Sequence, residues 1–423
     1  MSNVSVPVWV LALMTLALVA LIVILWSVKR RRRPHLSLEA TGLEDLIPTI
    51  SGATQGTAVD GNEVEIVQNG EFWEWVFRDL EQAKETINYE TFLAKEGQLT
   101  KRMADMFCRK AGEGVQVRMM LDGSGGKDFG KEGLKQMRDA GCKVGSYHPI
   151  ELRNLGILNN RDHRKMFIID GRIGYVGGHC LVDTWLGNAE DKKHFRDISV
   201  RVRGPVVAQL QSTFAENWIE ETGEVVGGTN FFPQLEPVGD MKAHAVWLSP
   251  AGSPSTLKLL HYLAIRAAAK TLTIQNPYFL PDPDARDALL EAVKRGVSVR
   301  VMLPAASATD SPIVQHASHH HYGTLLKGGV RIFEYQRTLL HQKVFTVDGC
   351  WSAVGSTNFD DRAFEINDEV SFVIYDEGIA GELEQIFEDD LRDSKEMAFE
   401  AWKNRPALHK LQDFGAFLFN EQL

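Results

Sequence analysis

The stretch HRKMFIID, residues 163–170, recurs as HQKVFTVD, residues 341–348. Nothing else in the chain constrains its fold as strongly. In each copy His and Lys stand two apart, an apolar run follows, and Asp-Gly closes it at 170–171 and 348–349. An apolar run ending in Asp-Gly predicts a strand and a tight hairpin. Residues i and i+2 of a strand point to the same side. His163 and Lys165 therefore share a face, and the second copy repeats that spacing at His341 and Lys343. One such pair alone is an ordinary strand edge. Two pairs 178 residues apart are spaced too widely for a solenoid repeat and mark a duplicated domain.

The flanking patterns repeat in the same order. In the first half, strands are predicted at Glu63–Val67, Thr86–Leu93, Val115–Asp122 and Cys142–Tyr147, and helices at Glu71–Lys84, Leu99–Ala111 and Lys131–Ala140. In the second half, Thr271–Leu280, Val297–Pro304 and Val330–Tyr335 echo the later strands, with helices at Asp284–Lys294 and His321–Lys327. The loop Ser124–Gly126 lacks the Lys and the spacing of a phosphate-binding P-loop. Each motif His is followed fourteen and fifteen residues later by a small pair, Gly177-Gly178 or Gly355-Ser356. The fold class is α/β, with two repeats at 61–225 and 241–405 joined by a linker at 226–240, and a C-terminal tail at 406–423.

Residues 7–28 carry no charged side chain, and Lys29 to Arg33 follow them. That run is long enough to cross a hydrocarbon core of about 30 Å, with Trp9 and Trp26 near its ends. Basic residues after the run, not before it, predict an uncleaved transmembrane anchor with the rest of the chain on the cytoplasmic side. Residues 29–60 read as a basic tether. A net charge of −10 argues against a nucleic-acid partner, which needs a basic face. Cys108, Cys142, Cys180 and Cys350 lie far apart without a CxxC pair, which suits a reducing compartment. No obligate protein partner is evident.

Two related domains packed about a pseudo-twofold axis can join their motifs into one cleft. Two ammonium groups then hold a phosphodiester, and two imidazoles serve as nucleophile and general acid–base. This chemistry needs neither metal nor cofactor, and no carboxylate cluster has metal-ligand spacing. Each imidazole needs an acceptor on its other nitrogen. Asp197, 34 residues after His163, and Glu369, 28 residues after His341, hold similar places before an apolar strand. The natural expectation pairs Asp197 with His163 and Glu369 with His341.

The paired HxKxxxxD motifs resemble the phospholipase D superfamily, and their surroundings resemble its bacterial cardiolipin synthase branch. The pieces are GNEVEIVQNGEFWEWVFRDL, HRKMFIIDGRIGYVGG and HQKVFTVDGCWSAVGSTNFDDRAFEINDEV, within residues 60 to 405. The resemblance implies duplicated phospholipase D-type domains, each a mixed sheet flanked by helices. It also implies phosphatidyl transfer through a phospho-His, cardiolipin synthesis from phosphatidylglycerol and a second phospholipid, and a bacterial inner-membrane location. His163 maps to the nucleophile and His341 to the general acid–base. Lys165, Lys343 and Asn358 would hold the phosphate, with Ser356 nearby. Asp170 and Asp348 complete the catalytic motif, although structural pairing suits them better than proton transfer. Two features depart from the pattern: there is one anchor segment, and Cys180 stands where the second copy has Asn358 and is a weaker donor. His179 is a candidate substitute for the missing amide. His316, His319, His320 and His321 cannot all face one ion from a helix, and they are expected to line the cleft near the headgroup. The tail Leu408–Phe419 is apolar enough to touch the membrane or the domain. Alternative readings are a phospholipase D-type hydrolase and an inactive lipid-binding scaffold.

Overall fold

Repetition in the sequence becomes repetition in space. The computed structural model describes residues 7–28, 43–54, 56–151, 154, 159–248 and 255–419. Two helices precede the repeats, α1 (Val8–Val28) and α2 (Leu43–Ala53). Residues Met1–Glu39 form a unit separate from Ala40–Leu423. Helix α1 carries no charged residue. Its side chains are described through Ala20, and those of Val8, Trp9, Leu11 and Leu13 are exposed. Among the described residues no helix is long and apolar enough to cross a membrane. The basic cluster Lys29 to Arg33 lies outside the described residues. The expected tether is corrected from residue 43 onward: Leu43, Leu46 and Ile50 form the buried stripe of α2, which packs on the helix Thr256–Ala267 of the second repeat.

The first repeat runs β1 (Val59–Gln68), α3 (Glu71–Gln82), β2 (Thr86–Thr91), α4 (Gln98–Gly112), β3 (Gln116–Asp122), α5 (Lys131–Asp139), β4 (Lys143–Tyr147), β5 (Lys165–Ile169), β6 (Ile173–Gly177), β7 (Ile198–Arg203) and α6 (Val207–Thr222). The second runs β8 (Met241–Leu248), α7 (Thr256–Ala267), β9 (Thr271–Gln275), α8 (Pro283–Lys294), β10 (Ser298–Pro304), α9 (Pro312–Lys327), β11 (Arg331–Tyr335), β12 (Val344–Val347), β13 (Trp351–Gly355), α10 (Asp361–Glu365), β14 (Glu369–Tyr375) and α11 (Glu377–Asp390). Then follow β15 (Ser394–Glu396), α12 (Phe399–Lys403) and α13 (Ala407–Phe417). Helix α9 begins well before the expected His321, because Pro312 opens it at the first-turn position where a missing N–H costs nothing.

Strand order is β4-β3-β2-β5-β6-β7-β1 in one repeat and β8-β14-β13-β12-β9-β10-β11 in the other, with β15 added at the far edge. The helical crossovers make β2-β3-β4 and β9-β10-β11 parallel, and the remaining pairs are antiparallel, β5-β6 and β12-β13 as hairpins. The halves join where β1 pairs with β8 across a register shift between Val59 and Asn62. Alternation along β5 explains its unbroken apolar run. Phe167 and Ile169 pack with Trp73, Val76 and Phe107 on the helical face, while Met166 and Ile168 enter a second core. That second core is shared: Val176, Val200 and Phe214 of the first repeat meet Val344, Val370 and Phe372 of the second. Each large apolar side chain buried there contributes about 1.5–3 kcal/mol, and this shared face clamps the repeats together.

Candidate active site

The two motifs meet because each repeat lends its motif segment to the other. His163 donates its N–H to the Asp368 carbonyl (2.9 Å), and Asp368 donates to the Arg161 carbonyl (2.9 Å). In the other half His341 donates to the Arg196 carbonyl (2.8 Å), and Arg196 to the Leu339 carbonyl (2.9 Å). Each motif thus lies beside the segment leading into the other repeat's last strand. The carboxylates at the heads of those segments follow suit.

The expected pairing is therefore corrected. His163 Nδ1 bonds Glu369 Oε1 at 2.7 Å, and His341 Nδ1 bonds Asp197 Oδ2 at 2.8 Å. All four residues are buried. The acceptors are the two residues singled out in the sequence, but each serves the histidine of the other repeat. An Nδ1–H so held leaves Nε2 as the free, unprotonated nitrogen of a neutral ring. Aromatic edges fix both rings from the side: Phe92 lies 4.9 Å from the His163 ring and Trp185 lies 5.0 Å from the His341 ring.

The two pairs differ in charge. Burial pushes the His163 imidazole well below the usual histidine range, and Lys165 and Lys343 push the same way. Burial also raises the Glu369 carboxyl well above the carboxylate range, against the pull of Lys165. Both shifts favour the uncharged forms of this pair. At the other pair, burial tends to raise the Asp197 carboxyl, but His341 and His179 outweigh it and hold it well below its usual range. Burial and Lys343 lower His341, and Asp197 opposes them. The net effect leaves His341 below the usual histidine range, and the pairs differ in that Asp197, unlike Glu369, is held on the ionised side and favours a proton on its imidazole.

The lysines mirror one another, each donating to the carbonyl of its own histidine, Lys165 to His163 and Lys343 to His341. The Lys343 ammonium also lies 3.0 Å from His341 Nε2. Burial, with Lys165 adding to it, brings Lys343 down to about 8 against the pull of Asp197. The Ser356 hydroxyl contacts Glu369 and accepts from the Val370 N–H at 3.0 Å. Asn358 is buried, and its Oδ1 has no hydrogen-bond partner among the described residues.

Asp170 and Asp348 stand apart, at the far ends of β5 and β12. Asp170 accepts from the N–H groups of Lys84, Glu85 and Thr86 at 2.8–2.9 Å. Asp348 accepts from Ala269, Lys270 and Thr271 at 2.6–2.9 Å. Each begins an Asp-Gly turn with positive φ at both positions, 52° and 60° or 54° and 66°, the type I′ geometry. Their place in the catalytic set is corrected: they pin the hairpins to the strands they pair with. His179 is likewise no substitute for an amide. Its Nε2 donates to the Asn69 carbonyl (2.8 Å), its Nδ1 accepts from Ser199 (2.7 Å), and it stacks on Phe72. Cys180 is buried, and its thiol donates to the Gly178 carbonyl at 3.8 Å.

The four histidines of α9 diverge as the helix requires, but they do not gather at the cleft. His316 binds Asp413, His319 binds Glu334, His320 stacks on Phe417 and His321 accepts from Arg286. Helix α13 packs on α9, and Trp402 lies where a Cβ on Gly323 would stand. Leu408, Leu411, Phe414, Leu418 and Phe419 remain exposed. Two site residues escaped the sequence reading. Trp185 Nε1 donates to Asp197 Oδ2 at 2.7 Å. Arg164, between the motif His and Lys, is fully buried against Glu216 and the carbonyls of Thr213 and Leu248. The alternation of HRK could have flagged Arg164; nothing in the sequence marks Trp185.

Comparison with known proteins agrees with this geometry. The family model described as cardiolipin synthase, PLD-like domain, matches residues 76–218 and 263–391. The chain is 34% identical to cardiolipin synthase A of Pseudomonas putida over 84% of its length and 73% of that protein. It is 32% identical to the major cardiolipin synthase of Bacillus subtilis over 88% of its length and 77% of that protein. Phosphatidylserine synthase of Haemophilus influenzae shares the fold, with a TM-score of 0.69 at 14% identity over 88% of this chain and 100% of that one. With both motifs assembled across the repeats and this family matched in each half, the chain belongs to the cardiolipin synthase family of phospholipase D-like transferases.

Proposed function

We propose that the protein is a membrane-anchored phosphatidyltransferase that makes cardiolipin from phosphatidylglycerol and a second phospholipid. The observation that carries this reading is the crossed pair of His–carboxylate contacts, His163 with Glu369 and His341 with Asp197. His163 Nε2 attacks the donor phosphorus, and the bond from phosphorus to the leaving glycerol oxygen breaks. His341, in its protonated form, which Asp197 favours, gives that oxygen its proton. His341 then takes the proton of the acceptor hydroxyl, whose oxygen attacks phosphorus as the phosphorus–nitrogen bond breaks. Lys165, Lys343 and Asn358 hold the non-bridging oxygens, where charge accumulates.

The anchor is proposed from the uncharged run of residues 7–28 and the cations after it. On this reading the repeats lie on the cytoplasmic face of a bacterial inner membrane. The names of the curated relatives support cardiolipin as the product.

The test is incubation of the full chain with labelled phosphatidylglycerol. Cardiolipin plus glycerol is expected. Phosphatidic acid as the sole lipid product would instead establish a hydrolase. A His163→Ala variant that stays folded and still makes cardiolipin would contradict the assigned nucleophile.

A further inference from the structure

The segment entering the first hairpin alternates between two environments. Asp162 and Arg164 are fully buried, with Arg164 bonded behind the segment. Arg161, His163 and Lys165 occupy the positions between, and residues two apart on an extended segment share a side. Arg161 therefore extends the His–Lys row by one cation. The equivalent position in the second repeat is Leu339, so the extension is one-sided.

A second guanidinium from the other repeat stands beside it. Arg362 Nη1 donates to Asn159 Oδ1 at 2.9 Å and Nη2 to the Asn159 carbonyl at 3.1 Å, two residues ahead of Arg161. The Arg362 carbonyl accepts from Ile366 and Asn367, immediately before the Asp368–Glu369 segment that pairs with His163. Arg161 pairs with Asp122 and donates to the His148 carbonyl, whereas Arg362 is not matched by a carboxylate of its own among the described residues. Among the described residues Arg362 makes no ion pair, and its acidic neighbours are engaged: Asp360 caps the Ala363 N–H at 2.7 Å, and Asp361 faces Lys258 at 3.6 Å. Arg161 is 6% exposed, meets Asp122 at 3.5 Å, and has an Nε without a partner. Burial lowers the Arg362 guanidinium and Arg161 adds to the effect, against Asp360. Asp122 offsets one of the two positive charges, and the guanidinium left in excess in a largely buried place costs stability unless a further anion joins them.

We propose that Arg161 and Arg362 form a second anion subsite that holds the phosphate of the acceptor phospholipid. This rests on the transferase reading above. That reaction needs two phosphodiesters in one cleft, one at the His–Lys centre and one on the acceptor. Guanidinium forks suit the second, because they bind phosphate oxygens in pairs. Water and simple alcohols carry no phosphate and gain nothing from the subsite, which favours transfer to a phospholipid over hydrolysis.

The test uses the full chain in detergent micelles with unlabelled phosphatidylglycerol as donor. Labelled glycerol and labelled glycerol phosphate serve as alternative acceptors, and label entering lipid is measured. The wild type should prefer glycerol phosphate. Arg362→Gln keeps amide hydrogens for Asn159 and should lower the ratio of glycerol phosphate to glycerol use about ten-fold or more, the effect of a lost charge-assisted bond. Arg362→Lys keeps charge without the fork and should lose less. Equal losses for both acceptors, an unchanged ratio, or a wild type without the preference would overturn the subsite. A wild type that incorporates neither acceptor overturns the transferase reading itself, and the subsite with it.

Discussion

Replacing Asp197 by Asn keeps the shape of the His341 pair and removes its charge. One side-chain oxygen still faces His341 Nδ1 and Trp185 Nε1, and an amide turns toward the Ile198 N–H that the carboxylate now accepts at 2.8 Å. Thermal unfolding therefore checks that the variant folds. A hydrogen bond to a charged group contributes about 1.5–3 kcal/mol, and one pKa unit is about 1.4 kcal/mol. The His341 imidazolium thus loses support of about one to two pKa units. Asp197 raises the His341 pKa, so its removal lets the proton go at lower pH. The limb of the pH–rate profile set by protonated His341 moves acidward by that amount. At neutral pH, steps that need the imidazolium slow about 10–100-fold. A donor with a nitrophenyl leaving group separates the two pairs, since nitrophenolate departs without a proton. Asp197→Asn should keep the burst of nitrophenol and lose later turnover. Glu369→Ala, which frees Nδ1 of the attacking His163, should lose the burst. The reverse pattern would refute the crossed assignment and restore pairing within each repeat.

Lys343 titrates at about 8, so its charge is present below that pH and lost as pH rises through it. The alkaline limb of activity should fall near pH 8, and Lys343→Arg should extend it upward; a limb that does not move would remove Lys343 from phosphate binding. Asp170→Ala and Asp348→Ala each strand three backbone N–H groups. Each should cost about 2–4 kcal/mol in denaturant unfolding while the rate per folded molecule stays within about two-fold; a folded variant without activity would return that Asp to the chemistry.

The hairpins, the parallel strands and the duplication were legible because apolar period, Asp-Gly turns and motif spacing are local signals. The identities of Asp197 and Glu369 were legible too, from their matching places before β7 and β14. Their partners were not. Correspondence within each repeat suggests self-pairing, whereas the strand exchange at Asp162–Asp368 and Arg196–Leu340 is set by how the halves pack. Helix α2 was hidden because its three buried residues, Leu43, Leu46 and Ile50, matter only against α7. The α9 histidines looked like a cleft lining because their partners are distant in sequence, as with Asp413, 97 residues from His316.

The central claim is that His163 carries the phosphatidyl group. Rapid acid-free quenching of the full chain during turnover of labelled phosphatidylglycerol, followed by peptide mapping, tests it most directly. Label should sit on the peptide holding His163 and be absent from the peptide holding His341. Label on His341 alone, or none on either while cardiolipin accumulates, would contradict it.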